Sequence, residues 1–120
     1  AFRCAQLERG QDMAQLSKTT IEINFKNACN QASQLEQLAQ ELNQIAASQL
    51  SGTLQSVAGS WKGDSANLFL QKGNSLVDQI SASAQALKDA AASIKTIAKN
   101  TYNAEMRALE LARIRESEQI

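Results

Sequence analysis

The sequence predicts an all-α protein: an antiparallel helical hairpin with its sole tryptophan at the turn, dimerising into a four-helix bundle. Three observations carry this expectation. The chain of 120 residues contains no proline and only five glycines, and its excess of Ala, Gln, Ser, Leu and Asn suits long helices. Two long stretches repeat apolar residues at alternating steps of three and four, the spacing of one helical face. Between them lies one break, Gly59-Ser60-Trp61-Lys62-Gly63-Asp64.

The length allows one domain. Residues 1–16 mix charges with Gly10 and show no sustained period, so they are expected to form a loosely ordered N-terminal extension to a single hairpin domain over 17–120. The run Met13-Ala14-Gln15-Leu16-Ser17 reads as a natural chain start. Arg3, Glu8, Arg9 and Asp12 interrupt any apolar run near the beginning, so no signal-peptide core is expected there.

The first helix is expected over about 19–58, since Thr19 and Glu22 have the capping-box spacing that satisfies orphaned backbone donors at a helix start. Ala28, Ala32, Leu35, Ala39, Leu42 and Ala46 form its apolar face, which Leu38, Ile45 and Cys29 widen. The pattern continues through Leu50, Leu54 and Val57 to Gly59, expected to end the helix in a left-handed conformation. The turn is placed at 59–64, with Asp64 as N-cap of the next helix. Over about 65–117 the seam is expected to run through Ala66, Phe69, Gly73, Leu76, Ile80, Ser83, Leu87, Ala90, Ile94, Ile97, Thr101, Ala104 and Ala108, fading into charged residues beyond Leu111. So short a connection forces antiparallel neighbours.

Two helices alone cover only part of each other's widened apolar stripe. Each Leu or Ile side chain left in water forgoes roughly 1.5–3 kcal/mol, so several of them amount to a domain's net stability. Small residues along the seams, such as Ala28, Ala32, Gly73 and Ala90, permit close helix approach. The residues expected to pack within the hairpin or across a dimer are Leu35, Leu38, Leu42, Ile45, Phe69, Leu76, Ile80, Leu87, Ile94 and Ile97.

Trp61-Lys62-Gly63 at the bend between two helices of similar length, followed by Leu68, Phe69, Leu70 and Leu76, resembles the W-x-G hallmark of the ESAT-like (Esx) family. The resemblance covers about Met13 to Arg115. It implies a small substrate of a type VII secretion system, exported as a folded dimer without a cleavable signal peptide and cytoplasmic before export. Its implied partners are a second copy of itself or a paralogous hairpin, and the type VII secretion ATPase. Family members usually carry a Tyr followed four residues later by Asp or Glu. Here Tyr102 and Glu105 are three apart and Met106 holds the fourth position, so these two residues are an approximate candidate secretion signal.

Competing readings are narrower. Lys plus Arg balance Asp plus Glu at twelve each, so no net field attracts a phosphate backbone, and nucleic-acid binding is not expected. There is no histidine to act as a general base, no glycine-rich loop and no metal-ligating repeat, so neither enzymatic activity nor a cofactor is expected. The uncharged stretch Leu42–Trp61 is too polar for a membrane span, and the stripes are too rich in Ala and Ser for stable membrane insertion. An alternative role is a cytoplasmic helical chaperone or targeting partner of a larger secreted toxin. Trp61 is expected to pack onto a neighbouring helix end, Gly63 to permit the turn, Cys29 to act as a small hydrophobe and Cys4 to be exposed.

Overall fold

In the computed structural model, the structure describes the backbone of residues 2–118 and the side chains of residues 17–118. Among these residues every element is helical: α1 (Phe2–Gln44), a π-helical segment (Ile45–Leu50), α2 (Ser51–Ser60) and α3 (Asp64–Glu118), with no strand. The architecture is an all-α helical hairpin, one arm being α1, the π segment and α2, the other α3. The backbone divides into two units, Ala1–Gln31 with Ser93–Ile120, and Ala32–Ala92.

The Ala32–Ala92 unit contains the turn. α2 ends at Ser60, where Trp61 becomes extended at φ −122° and ψ 122°. The last turn of α2 leaves carbonyls without helical donors, and nearby groups satisfy them. Trp61 N–H donates to the Val57 carbonyl at 2.8 Å, Lys62 Nζ to that of Ala58 at 2.6 Å, and Ser60 Oγ to that of Ser56 at 3.2 Å. The Lys62 ammonium thereby meets the negative end of the helix dipole. Gly63 follows at φ +113°, with nothing within 4 Å of where a Cβ would stand. Its role is the backbone conformation, which L side chains rarely adopt, rather than close approach.

Three expectations about helix ends are corrected here. Gly59 lies inside α2, and Gly63 is the glycine with positive φ. Gly63, not Asp64, holds the N-cap position of α3, since its carbonyl accepts the N–H of Asn67 at 3.0 Å. Asp64 is the first helical residue, where its carboxylate faces the positive end of the dipole. Thr19 and Glu22 lie within α1, which begins at Phe2. The capping-box spacing is thus carried by a helix interior. The backbone of residues 2–16, expected to be loosely ordered, belongs to α1, while the expected exposure of Cys4 falls on a side chain outside the described ones.

The buried core of this unit is made of small residues. Ala32, Ala39, Ala46, Ala66, Ala84 and Ala91 are buried, joined by one large side chain, Leu54, at 5% exposure. Leu54 lies against Gly73: its methyl groups occupy the space that a Cβ there would need. Leu35, Leu42, Leu70, Val77, Ile80 and Leu87 are half-buried beside this seam. Among the described residues, no side chain larger than alanine is fully buried.

The expected seam of α3 is half right. Ala66, Gly73, Ile80 and Leu87 do turn inward, but the positions between them are Leu70, Val77, Ala84 and Ala91, each one residue beyond the expected Phe69, Leu76, Ser83 and Ala90. These positions are doublets, and the inward member in the first two is the smaller one, Leu70 over Phe69 and Val77 over Leu76. Arms that approach to alanine distance leave the bulkier neighbours outside.

In the other unit no described residue is fully buried. Ile21, Phe25, Ala28 and Cys29 of α1 are half-buried, as are Ile94, Ala98, Tyr102, Met106 and Leu109 of α3. Here too the smaller Ala98 turns inward while Ile97 is 63% exposed. Thr101, Ala104 and Ala108 are also exposed, so the expected seam fails over this stretch. The two helices meet through Phe25 and Tyr102, whose rings lie 4.9 Å apart at 39°. Beyond them Arg113 pairs with Glu110 at 3.7 Å, both side chains largely in solvent.

Candidate interaction surface

From Ala32 to Ala46 on one arm and from Ala66 to Ala91 on the other, inward positions recur every seven residues, so each residue of these stretches has a defined place around its helix. The residue just before each of Ala39, Ala46, Leu70 and Val77 falls to one side of the seam. Reversing a chain reverses both its direction and its sense of rotation seen across the seam, so in an antiparallel pair these preceding residues share one flank. They are Leu38 and Ile45 on one arm and Phe69 and Leu76 on the other, between 42% and 50% exposed. Ser83 and Ala90 continue the row on α3, exposed and uncharged.

At the turn, Trp61 extends this flank. Its ring lies 5.7 Å from that of Phe69 at 51°, an aromatic pair of favourable geometry. Trp61 thus packs on the first turns of α3 while remaining 45% exposed, and Leu68 is exposed as well. The opposite flank differs in chemistry, carrying Glu36 and Asn43 on one arm and Asn67, Asn74, Ser81 and Lys88 on the other. One side of this unit is apolar and open, the other polar.

The ten residues expected to pack therefore divide evenly. Leu35, Leu42, Ile80, Leu87 and Ile94 are half-buried, whereas Leu38, Ile45, Phe69, Leu76 and Ile97 are exposed. Of the exposed set, Leu38, Ile45, Phe69 and Leu76 lie on the flank of the Ala32–Ala92 unit, and Ile97 lines the groove of the other unit. What sequence reasoning missed was this separation of seam from flank, and the doublets Phe69-Leu70, Leu76-Val77 and Ile97-Ala98 were its available signal.

Tyr102 and Glu105 meet at a different place. Both line an apolar groove of about 290 Å³ formed with Ile21, Asn24, Phe25, Ala28, Ile94, Ile97, Ala98 and Thr101. Tyr102 is half-buried against Phe25 while Glu105 stays exposed, so the step of three brings them to one groove with different surroundings. Cys29 is a free, half-buried thiol.

Among the described residues no group of His, Cys, Asp and Glu could hold a metal ion. No helix there is long and apolar enough to cross a membrane.

Comparison with protein families yields a match over most of the chain. The model of the PPE family matches residues 26–118, a span that starts within α1 and ends with α3. No curated protein and no solved structure matches the chain.

Proposed function

Because the chain belongs to the PPE family, which is related to type VII secretion substrates and is not an enzyme family, we propose that it is a type VII secretion-associated docking module. In this reading its work is to pair with a second helical hairpin, a copy of itself or a paralogue, and to travel with it through the secretion machine as a folded complex. The resemblance carried by Trp61-Lys62-Gly63 points the same way.

One observation carries the proposal: among the described residues the hairpin buries no side chain larger than alanine completely, yet it exposes Leu38, Ile45, Phe69 and Leu76 along one flank. Each of these would contribute roughly 1.5–3 kcal/mol on transfer out of water, and a two-helix hairpin has no third layer of its own to cover them. A second hairpin laid along this flank completes a four-helix bundle. The secretion ATPase is the further partner this reading requires, with Tyr102 and Glu105 as the candidate recognition residues.

The test is export from the source organism. Deleting its type VII secretion ATPase should abolish extracellular accumulation of the chain while leaving its intracellular level intact. Unchanged extracellular levels would refute export by that route. The double substitution Leu38→Gln with Leu76→Gln should prevent pairing and reduce export together, and export at full level by an unpaired chain would contradict the docking role.

A further inference from the structure

The arm leading into the turn changes its step once. Its buried positions fall at Ala32, Ala39 and Ala46, seven apart, and then at Leu54, eight further on. α3 in the same unit keeps the seven-residue step, from Ala66 to Gly73 and from Ala84 to Ala91. One arm therefore holds a residue that its partner does not.

That residue lies in the π-helical segment Ile45–Leu50. There the N–H of Ser51 reaches back five residues to the carbonyl of Ala46, and Ser51 Oγ donates to the same carbonyl at 2.8 Å. Thr53 Oγ1 donates to the carbonyl of Gln49 at 2.9 Å. A π turn takes more residues than an α turn, so it absorbs the additional one without rotating the helix that follows.

With the same residues in regular α-helix, α2 would turn by roughly 100° about its axis. The position seven beyond Ala46 is Thr53, and Ser56 and Ser60 continue that face. Leu50, Leu54 and Val57 would leave the seam, and polar side chains would meet α3 in their place.

We propose that the π segment is a register device: a one-residue insertion that selects the Leu50-Leu54-Val57 face of α2 over its Thr53-Ser56-Ser60 face and so seats Leu54 on Gly73. The apolar seating depends on chain length between Ala46 and Leu54, and the helix before the turn has a discrete second seating one residue away. Thr53 is exposed in the observed seating, as this requires.

Single-residue deletions in the full-length chain, in whatever assembly it forms, test the proposal. Deleting Ser48 reduces the Ala46-to-Leu54 step to seven, so an unbroken α-helix would seat Leu54 unaided. The deletion should leave helical content unchanged and the melting temperature equal or higher. Adding Leu54→Ala should then lower the melting temperature by on the order of 10 °C, as it does in the parent. Deleting exposed Gln37, which lies ahead of the π segment, shifts Ala39 and Ala46 off the seam and should lower the melting temperature. Equal effects of the two deletions would overturn the proposal, as would a Leu54→Ala substitution without effect once Ser48 is gone.

Discussion

The two units of the hairpin close the same helix pair by opposite means. Around the turn, from Ala32 to Ala92, the arms meet through alanines, with Leu54 over Gly73. In the unit that joins Ala1–Gln31 to Ser93–Ile120, no described side chain is fully buried, and Phe25 and Tyr102 bridge the helices beside an apolar groove. Close approach makes a dry seam but pushes large apolar residues outward, onto a flank that can serve as an interface. Aromatic bridging turns large side chains inward and leaves space between the helices.

Substitutions can break this contrast, and their expected effects fall in order. Leu54→Ala should be the most costly, at about 2–5 kcal/mol in denaturant unfolding, because it removes the one large side chain buried in the small-residue seam. Next, Ala84→Leu should cost about 1–3 kcal/mol through overpacking. Ala98→Leu, beside the 290 Å³ groove, should cost less than half as much by the same measurement. Equal costs at the two alanines would erase the difference in packing.

Tyr102→Ala should lose about 0.5–1.5 kcal/mol from the ring pair in addition to the area it buries. Tyr102→Phe keeps the ring and should stay within about 0.5 kcal/mol of the parent. Loss of export by Tyr102→Phe at unchanged stability would assign the hydroxyl to recognition. Arg113→Ala should be the mildest, below about 0.5 kcal/mol, since its pair with Glu110 is exposed and screened.

Much of the fold was legible in the sequence because its signals are local. Proline-free periodicity announced two helices, and the lone glycine-flanked tryptophan located the turn within a few residues. On the first arm the three-four spacing of Ala28, Ala32, Leu35, Ala39, Leu42 and Ala46 picks out the inward positions, whereas Leu38 and Ile45, expected to widen that face, stand exposed beside Ala39 and Ala46. On α3 adjacent apolar pairs made the periodicity ambiguous by one residue. The tie is broken by how closely the partner helix approaches, a tertiary quantity.

Other features were illegible for equally physical reasons. The step of eight from Ala46 to Leu54 fits helical spacing loosely through Leu50, so the π segment left no mark in a reading of threes and fours. Gly59 and Gly63 are both plausible turn glycines, and the hydrogen bonds of Trp61 and Asn67 decide between them. The candidate interface was legible as an excess of apolar residues, yet its assignment to one flank required the register of both arms.

The most direct measurement of the central claim is the solution mass of the purified chain by light scattering, taken beside that of the Leu38→Gln, Leu76→Gln variant. The account predicts a mass of two copies for the parent and loss of that pairing in the variant, with helical content falling as the flank is left in water. A parent chain that is a single copy, fully helical and cooperative in unfolding would contradict it, because such a hairpin would need no second layer over Leu38, Ile45, Phe69 and Leu76.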